Sequence, residues 1–305
     1  MTADLPKGAA EVITRLELPI QEDAPVLRRN RRLPVVIFSP GKGVKTLPYS
    51  SLQEDLASHG FAVAAIEHPY DAPIVVFPDG RAVRPTDGSA PRQVSDFVAQ
   101  QEAADYRARD ILFVKRELAR LNNSDGLWGN SLDLSKVSVM GHSLGGMAAF
   151  RACQLDPGLL ACISIDGAYR ARPYPAAVEA SKVQPPFMWL RRPLFIFTDA
   201  QLKQIGMTRT EFDSEISMGR RVMASASSGS LDVRLPRIGI DHMDFSDVRV
   251  LEKDASPTVR AARLLTLEMT RAWVRDFLTA AAEGQWRRLL AETSTGYREA
   301  RISAY

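Results

Sequence analysis

Cysteine is nearly absent from this 305-residue chain, which has two, Cys153 and Cys162. Both fall in apolar surroundings and read as small buried hydrophobes rather than as a disulfide. No Cys/His cluster has metal-ligand spacing, so neither a metal nor any other cofactor is implied. No apolar run approaches the ~18 residues of a membrane span. Residues 1–8 lack the hydrophobic core of a secretory leader. As written, the chain therefore reads as a soluble cytoplasmic protein, although an exported one trimmed of its leader would read the same. An excess of one charge is missing too, with 39 basic against 36 acidic residues and a net charge of +3. That balance implies no nucleic-acid partner. The basic run 28–32 reads as a solvated loop. Repeats and low-complexity tracts are absent, and nothing in the composition fixes an oligomeric state.

What is present is ordinary globular material, 45% hydrophobic and 25% charged, in a chain long enough to build a large core. Residues 11–20 alternate, as an edge strand does. Leu33–Phe38 is a continuous apolar run, as in a strand covered on both faces, and ends in the turn Ser39-Pro40-Gly41-Lys42-Gly43. Ser51-x-x-Glu54 suggests a capping box opening a helix that Gly60 stops. Phe61–Ile66 is the next buried strand, and residues 74–83 suggest a small hairpin. The pattern is helical from about Val94 to Leu121. A strand ending near Met140, a helix to about Leu155 and a strand over Leu159–Ile165 follow. Strands alternating with helices imply an α/β fold with a mostly parallel sheet. Residues 168–230 alternate less cleanly and carry Tyr169, Tyr174, Phe187, Trp189, Phe195 and Phe197. They read as a lid-like insertion that includes one core strand, within a single domain spanning 1–305. Leu231–Leu235 is the last strand. A final helix from Pro257 to about Leu278 sets Leu265, Met269, Trp273 and Phe277 on one face.

The chain is organised around Gly141-His142-Ser143-Leu144-Gly145, a G-x-S-x-G match between a strand and a helix. Strand, tight turn and helix form a nucleophile elbow, which lifts the serine hydroxyl above the sheet edge at a helix N-terminus. A serine needs a base to take its proton, and histidine titrates in the right range. Only four histidines exist. His142 precedes the nucleophile and should point away from it, His59 ends a helix, and His68 could line the pocket. His242 alone follows Ser143, in a loop past the last strand, as the order Ser, Asp/Glu, His requires. Two aspartates compete as the residue that orients it. Asp166 ends the strand after the elbow helix; Asp199 follows residues 193–198, a candidate strand. The oxyanion donors would be the main-chain N–H of Leu144, directly after the nucleophile, and that of Lys42 in the turn after Leu33–Phe38.

An ordered set of segments resembles the α/β-hydrolases of the platelet-activating-factor acetylhydrolase type (plasma, or group II) and their microbial esterase relatives. The residues that carry it are Val35–Gly41, Tyr49-Ser-Ser51, Leu56–Phe61, Glu67-His68, Phe77–Gly80, Gly141–Gly146, Ser164-Ile-Asp-Gly167 and His242-Met-Asp-Phe-Ser-Asp247. The resemblance implies an α/β-hydrolase fold and hydrolysis of a carboxylic ester through an acyl-enzyme. It makes Ser143 the nucleophile, His242 the base and Asp166 the acid, with a small-molecule ester as substrate. One departure is Pro40-Gly41, where the animal enzymes carry His-Gly. Ser-Pro-Gly is similar to the turn of cutinase-like polyester hydrolases, which keeps ester hydrolysis but points away from phospholipid specificity. The aromatic insertion suggests an apolar acyl pocket of modest size, so short to medium acyl esters are expected, with polyester or lipid hydrolysis as the alternative. A catalytically silent binding protein on the same fold is the reading from another class.

Overall fold

The structure is a computed structural model and describes residues 20–26, 31–85, 97–167, 183–192, 198–204, 207–224, 226, 228–235, 240–252, 254–291 and 301–304. The edge strand expected over 11–20 and the strand expected over 193–198 lie wholly or mostly outside these residues. So do Tyr169, Tyr174, Phe195 and Phe197.

Strand β1 (Leu33–Ser39) shows why its sequence is apolar without interruption. Val36 and Phe38 enter one core and Val35 and Ile37 the other, because alternate side chains leave a sheet on opposite faces. Helix α1 (Ser50–Ser58) follows, then β2 (Ala62–Ala65) and a two-stranded hairpin of β3 (Val75–Val76) and β4 (Ala82–Val83). Next come α2 (Phe97–Asn122), β5 (Leu132–His142), α3 (Leu144–Leu155), β6 (Cys162–Ile165) and β7 (Phe187–Arg191). The chain continues with α4 (Asp199–Gln204), α5 (Arg209–Ala224) and β8 (Ser230–Arg234), then α6 (Pro257–Ala282), α7 (Arg288–Ala291) and β9 (Arg301–Ala304). The main sheet runs β2-β1-β5-β6-β7-β8-β9, parallel throughout except for β9, which pairs antiparallel with β8. Met269, Trp273 and Phe277 of α6 fill one face with α1. Buried residues of α2 and α3 fill the other. This is the expected α/β-hydrolase architecture. Among the described residues, no helix is long and apolar enough to cross a membrane.

Several expectations are corrected. Cys153 of α3 and Cys162 of β6 are buried as expected but joined as a disulfide, because the helix packs directly on the strand with the two Cα atoms 6.5 Å apart. The Ser51–Glu54 capping box does not form. Tyr49 occupies the N-cap position, and its hydroxyl is engaged in the core. Asp247 caps the helix from across the chain, accepting from the Ser51 N–H at 3.0 Å and from the hydroxyls of Ser50 and Ser51. The His-x-x-Phe-Ser-Asp stretch thus fastens the His242 loop to α1. At the start of α5, Thr208 and Glu211 form a reciprocal capping box. The strand after β6 is Phe187–Arg191, so Phe187 and Trp189 are sheet residues buried in the core.

Candidate active site

Every piece of the site sits at the carboxyl edge of the parallel strands. Ser143 follows β5 at the N-cap position of α3 with φ 55° and ψ −120°, a region that costs energy for any residue with a Cβ. Local bonds hold it there: its N–H donates to the Ile165 carbonyl at 2.8 Å, and its carbonyl accepts from the Met147 N–H at 3.1 Å. The glycines of the motif are required by contact. A Cβ at Gly141 would strike the Gly145 backbone, and one at Gly145 would strike the carbonyl oxygens of Ser39 and Pro40. The elbow therefore lies directly against the turn that follows β1.

His242 opens a short 3-10 helix, His242–Phe245, whose first turn is closed by a capping box between Asp241 and Asp244. Its Nε2 is 2.8 Å from Ser143 Oγ, and its Nδ1 is 2.6 Å from Asp166 Oδ2. Asp166 follows β6 with φ 47°, held by an N–H bond to the Leu190 carbonyl at 2.7 Å. Burial would push its carboxyl up. The hydrogen bond from His242, with the charges of His242 and Arg192, outweighs that and leaves it below the usual carboxylate range. An ionised Asp166 must accept from Nδ1–H, so Nε2 presents its lone pair to the serine hydroxyl. The arrangement can move a proton from Ser143 to His242 and stabilise the resulting cation.

Asp199 is not part of this chain of bonds. It is exposed on α4 and paired with Arg209, with its Oδ1 3.0 Å from Arg209 Nε. Arg192, which sequence reasoning missed, is part of it. Its Nε donates to the same Asp166 Oδ2 at 2.7 Å and its backbone N–H to Oδ1 at 3.2 Å. Only its place one residue past β7 could have signalled it.

Lys42 and Leu144 carry main-chain N–H groups with no acceptor among the described residues. Around Lys42 the turn is tied down. Gly43 N–H donates to Asp71 Oδ2 at 3.0 Å, and Val44 N–H to the Gly41 carbonyl at 3.2 Å. The buried guanidinium of Arg107, on α2, donates to the Pro40 carbonyl at 2.5 Å and the Gly41 carbonyl at 3.3 Å, and pairs with Asp71. In a planar trans peptide the C=O and N–H point opposite ways, so holding the Gly41 carbonyl aims the Lys42 N–H away from Arg107. No sequence signal distinguished Arg107 from its neighbours.

His68 was expected near the pocket but is buried in a supporting role. Its Nε2 meets Ser39 Oγ at 2.9 Å and its Nδ1 meets Asp110 Oδ2 at 2.8 Å, which pins the first residue of the same turn. Burial lowers its pKa, against the pull of Asp110. His142 points away from Ser143 Oγ into the core, 0% exposed.

Residues 7–87 match the family model described as platelet-activating factor acetylhydrolase, isoform II. Over 138 residues the chain is 28% identical to a probable 1-alkyl-2-acetylglycerophosphocholine esterase of Arthroderma benhamiae, covering 45% of this chain and 32% of that protein. Over 168 residues it is 28% identical to a platelet-activating factor acetylhydrolase of Cavia porcellus, covering 50% and 38%. The chain thus spans about a third of the length of these curated relatives. A ferulic acid esterase from Streptomyces cinnamoneus superposes with a TM-score of 0.61 at 24% identity, covering 90% of this chain and 74% of that one, a likeness of fold. By sheet, elbow and these matches, the chain has the α/β-hydrolase fold and is similar to the platelet-activating-factor acetylhydrolases and their microbial esterase relatives.

Proposed function

We propose that the chain is a carboxylic-ester hydrolase that works through an acyl-enzyme on short to medium acyl esters. The observation that carries this reading is the unbroken line Ser143 Oγ–His242 Nε2–Asp166, at 2.8 and 2.6 Å, with the serine on a strained elbow. Ser143 Oγ attacks the ester carbonyl while its proton passes to His242 Nε2. The tetrahedral oxyanion takes hydrogen bonds from the N–H groups of Lys42 and Leu144. Collapse breaks the bond to the leaving alcohol, which receives the proton from His242, and the acyl group remains on Ser143. Water then attacks the acyl carbon and gives its proton to His242. The second collapse releases the acid and restores the serine. The names of the relatives support ester chemistry. The intact Ser/His/Asp set argues against a silent binding protein.

A panel of p-nitrophenyl esters of increasing acyl length tests the reading. Turnover should fall from short to long chains, whereas lipase-like use would show the opposite trend. Ser143→Ala should lose nearly all turnover, keeping at most the ~10³-fold over water that binding and an oxyanion hole supply. A serine-reactive phosphonate should label the wild type once and this variant not at all. Near-wild-type turnover by Ser143→Ala would overturn the assignment.

A further inference from the structure

Two buried residues outside the reacting set join its halves. Tyr49, at the N-cap of α1, ends the connection from β1 that carries Lys42 and is 1% exposed; His142 sits beneath the elbow and is fully buried. Gly41 N–H donates to Tyr49 Oη at 3.4 Å. Tyr49 Oη is 2.8 Å from His142 Nδ1, and His142 Nε2 is 2.9 Å from the main-chain carbonyl of His242. The protons in this line are determined by chemistry. A carbonyl can only accept, so His142 Nε2 carries a hydrogen. His142 is neutral, since burial above all, then the nearby charge of His242, pulls its pKa down to about 3. Nδ1 is then a bare acceptor, and the Tyr49 hydroxyl donates to it. The hydroxyl oxygen is left to accept from Gly41. Burial pushes the Tyr49 phenol up, so it keeps its proton. Each bond runs in one direction, from the turn to the base.

We infer that Tyr49 and His142 are positioning residues, a buried hydrogen-bonded bridge that holds the turn bearing Lys42 and the loop bearing His242 in mutual register. This rests on the esterase reading for its kinetic consequence but not for its chemistry. The Gly41 amide precedes the Lys42 N–H by one residue, and the His242 carbonyl belongs to the base itself. A shift in either end displaces an oxyanion donor relative to the proton acceptor. Binding of the ester ground state needs neither group in fine register, so the cost should fall on turnover.

Tyr49→Phe keeps the ring and removes the single oxygen that serves both bonds. Expected are a fall in kcat of about 10- to 100-fold, smaller than the ~10²–10³ for deleting an oxyanion donor outright, and a KM within about 3-fold of wild type. Nitrogen-15 NMR of the wild type should show His142 protonated on Nε2 and bare on Nδ1 from pH 8 to pH 5. In folded Tyr49→Phe the Nε2 hydrogen should remain, since the His242 carbonyl still requires a donor, but the bare Nδ1 resonance should shift because its hydrogen-bond donor is gone. A Tyr49→Phe enzyme with wild-type kcat, or a wild-type His142 protonated on Nδ1, would overturn the bridge. If wild type hydrolyses no ester, the esterase reading fails and the NMR result alone decides the bridge. The wild-type spectrum also decides it should Tyr49→Phe not fold.

Discussion

His142→Gln gives a direct test of the buried, neutral histidine. In the folded protein His142 has no solvent exposure, its Nε2–H is committed to the His242 carbonyl, and its Nδ1 is committed to the Tyr49 hydroxyl. Protonation would put a charge in the core and set two donors against each other at Nδ1. Its folded pKa is accordingly about 3, against a reference of ~6.5 in the unfolded chain. The sign follows from linkage. Above about pH 6.5 neither state binds this proton and the contribution is flat. Between ~6.5 and 3 the unfolded chain binds a proton that the folded chain refuses, so stability falls as pH falls, at about 1.4 kcal/mol per pH unit. From pH 6 to pH 4.5 this is about 2 kcal/mol. Glutamine cannot titrate, so His142→Gln should lack this slope whatever its stability at neutral pH. Urea unfolding of both proteins at pH 8, 6, 5 and 4.5 measures the difference. His68 and the shifted carboxylates, including Asp166, Asp244 and Asp247, are common to both proteins and cancel to first order. Parallel stability curves would refute the assignment of His142 as a neutral core residue.

Asp166→Asn should keep the fold and lose about 10⁴-fold in kcat, through loss of the charge that orients and stabilises the His242 cation, whereas Asp199→Asn should stay within ~10-fold; steady-state kinetics of both variants decide it. Arg107→Met frees the Pro40 and Gly41 carbonyls and leaves Asp71 without its buried partner. It should cost about 3–5 kcal/mol in urea unfolding and, at temperatures where the protein is folded, about 10²-fold in kcat. Wild-type kcat in a folded Arg107→Met would show that the turn aims itself. Gly145→Ala forces a Cβ onto the Ser39 and Pro40 carbonyls, both main-chain atoms that cannot rotate away. It should lose about 1–3 kcal/mol of stability and most of the activity.

Local signals in the sequence located most of the elements. The uninterrupted β1 run, the four-residue spacing on α6 and the G-x-S-x-G elbow each depend on residues close together in the chain, and each has a single physical meaning. The same locality explains the errors. The helix at Ser50 looked self-capped because Ser51 and Glu54 have the right spacing, yet its cap is Asp247, separated by 196 residues. The two cysteines carried no pairing signal, since pairing depends on how α3 lies on β6. Strand β9 pairs antiparallel at the far edge of the sheet and has no pattern long enough to read. Residues 193–198 read as the strand after β6 because they are an apolar run, whereas the strand that pairs with β6 is Phe187–Arg191.

The site divides along the same line. Residues that would exchange protons or donate to an oxyanion are limited by chemistry to a few types, so with four histidines and one elbow the candidates could be counted. Residues that aim them are not limited in this way. Arg107, Arg192, Tyr49 and Asp110 act through a carbonyl, a carboxylate, an imidazole and another imidazole, each reaching a group distant in the chain from itself. Many polar side chains of suitable length can serve, so type and spacing carried no information. Arg107 and Tyr49 are buried, with hydrogen bonds directed at a site residue or at the turn beside it. Such contacts are costly to leave unmade in a low-dielectric interior. The strained backbone at Ser143 and Asp166 therefore persists because the surrounding bonds leave each residue no alternative partner. On this account, catalytic geometry should be more sensitive to the loss of one buried donor than to the loss of comparable apolar contact area elsewhere in the sheet.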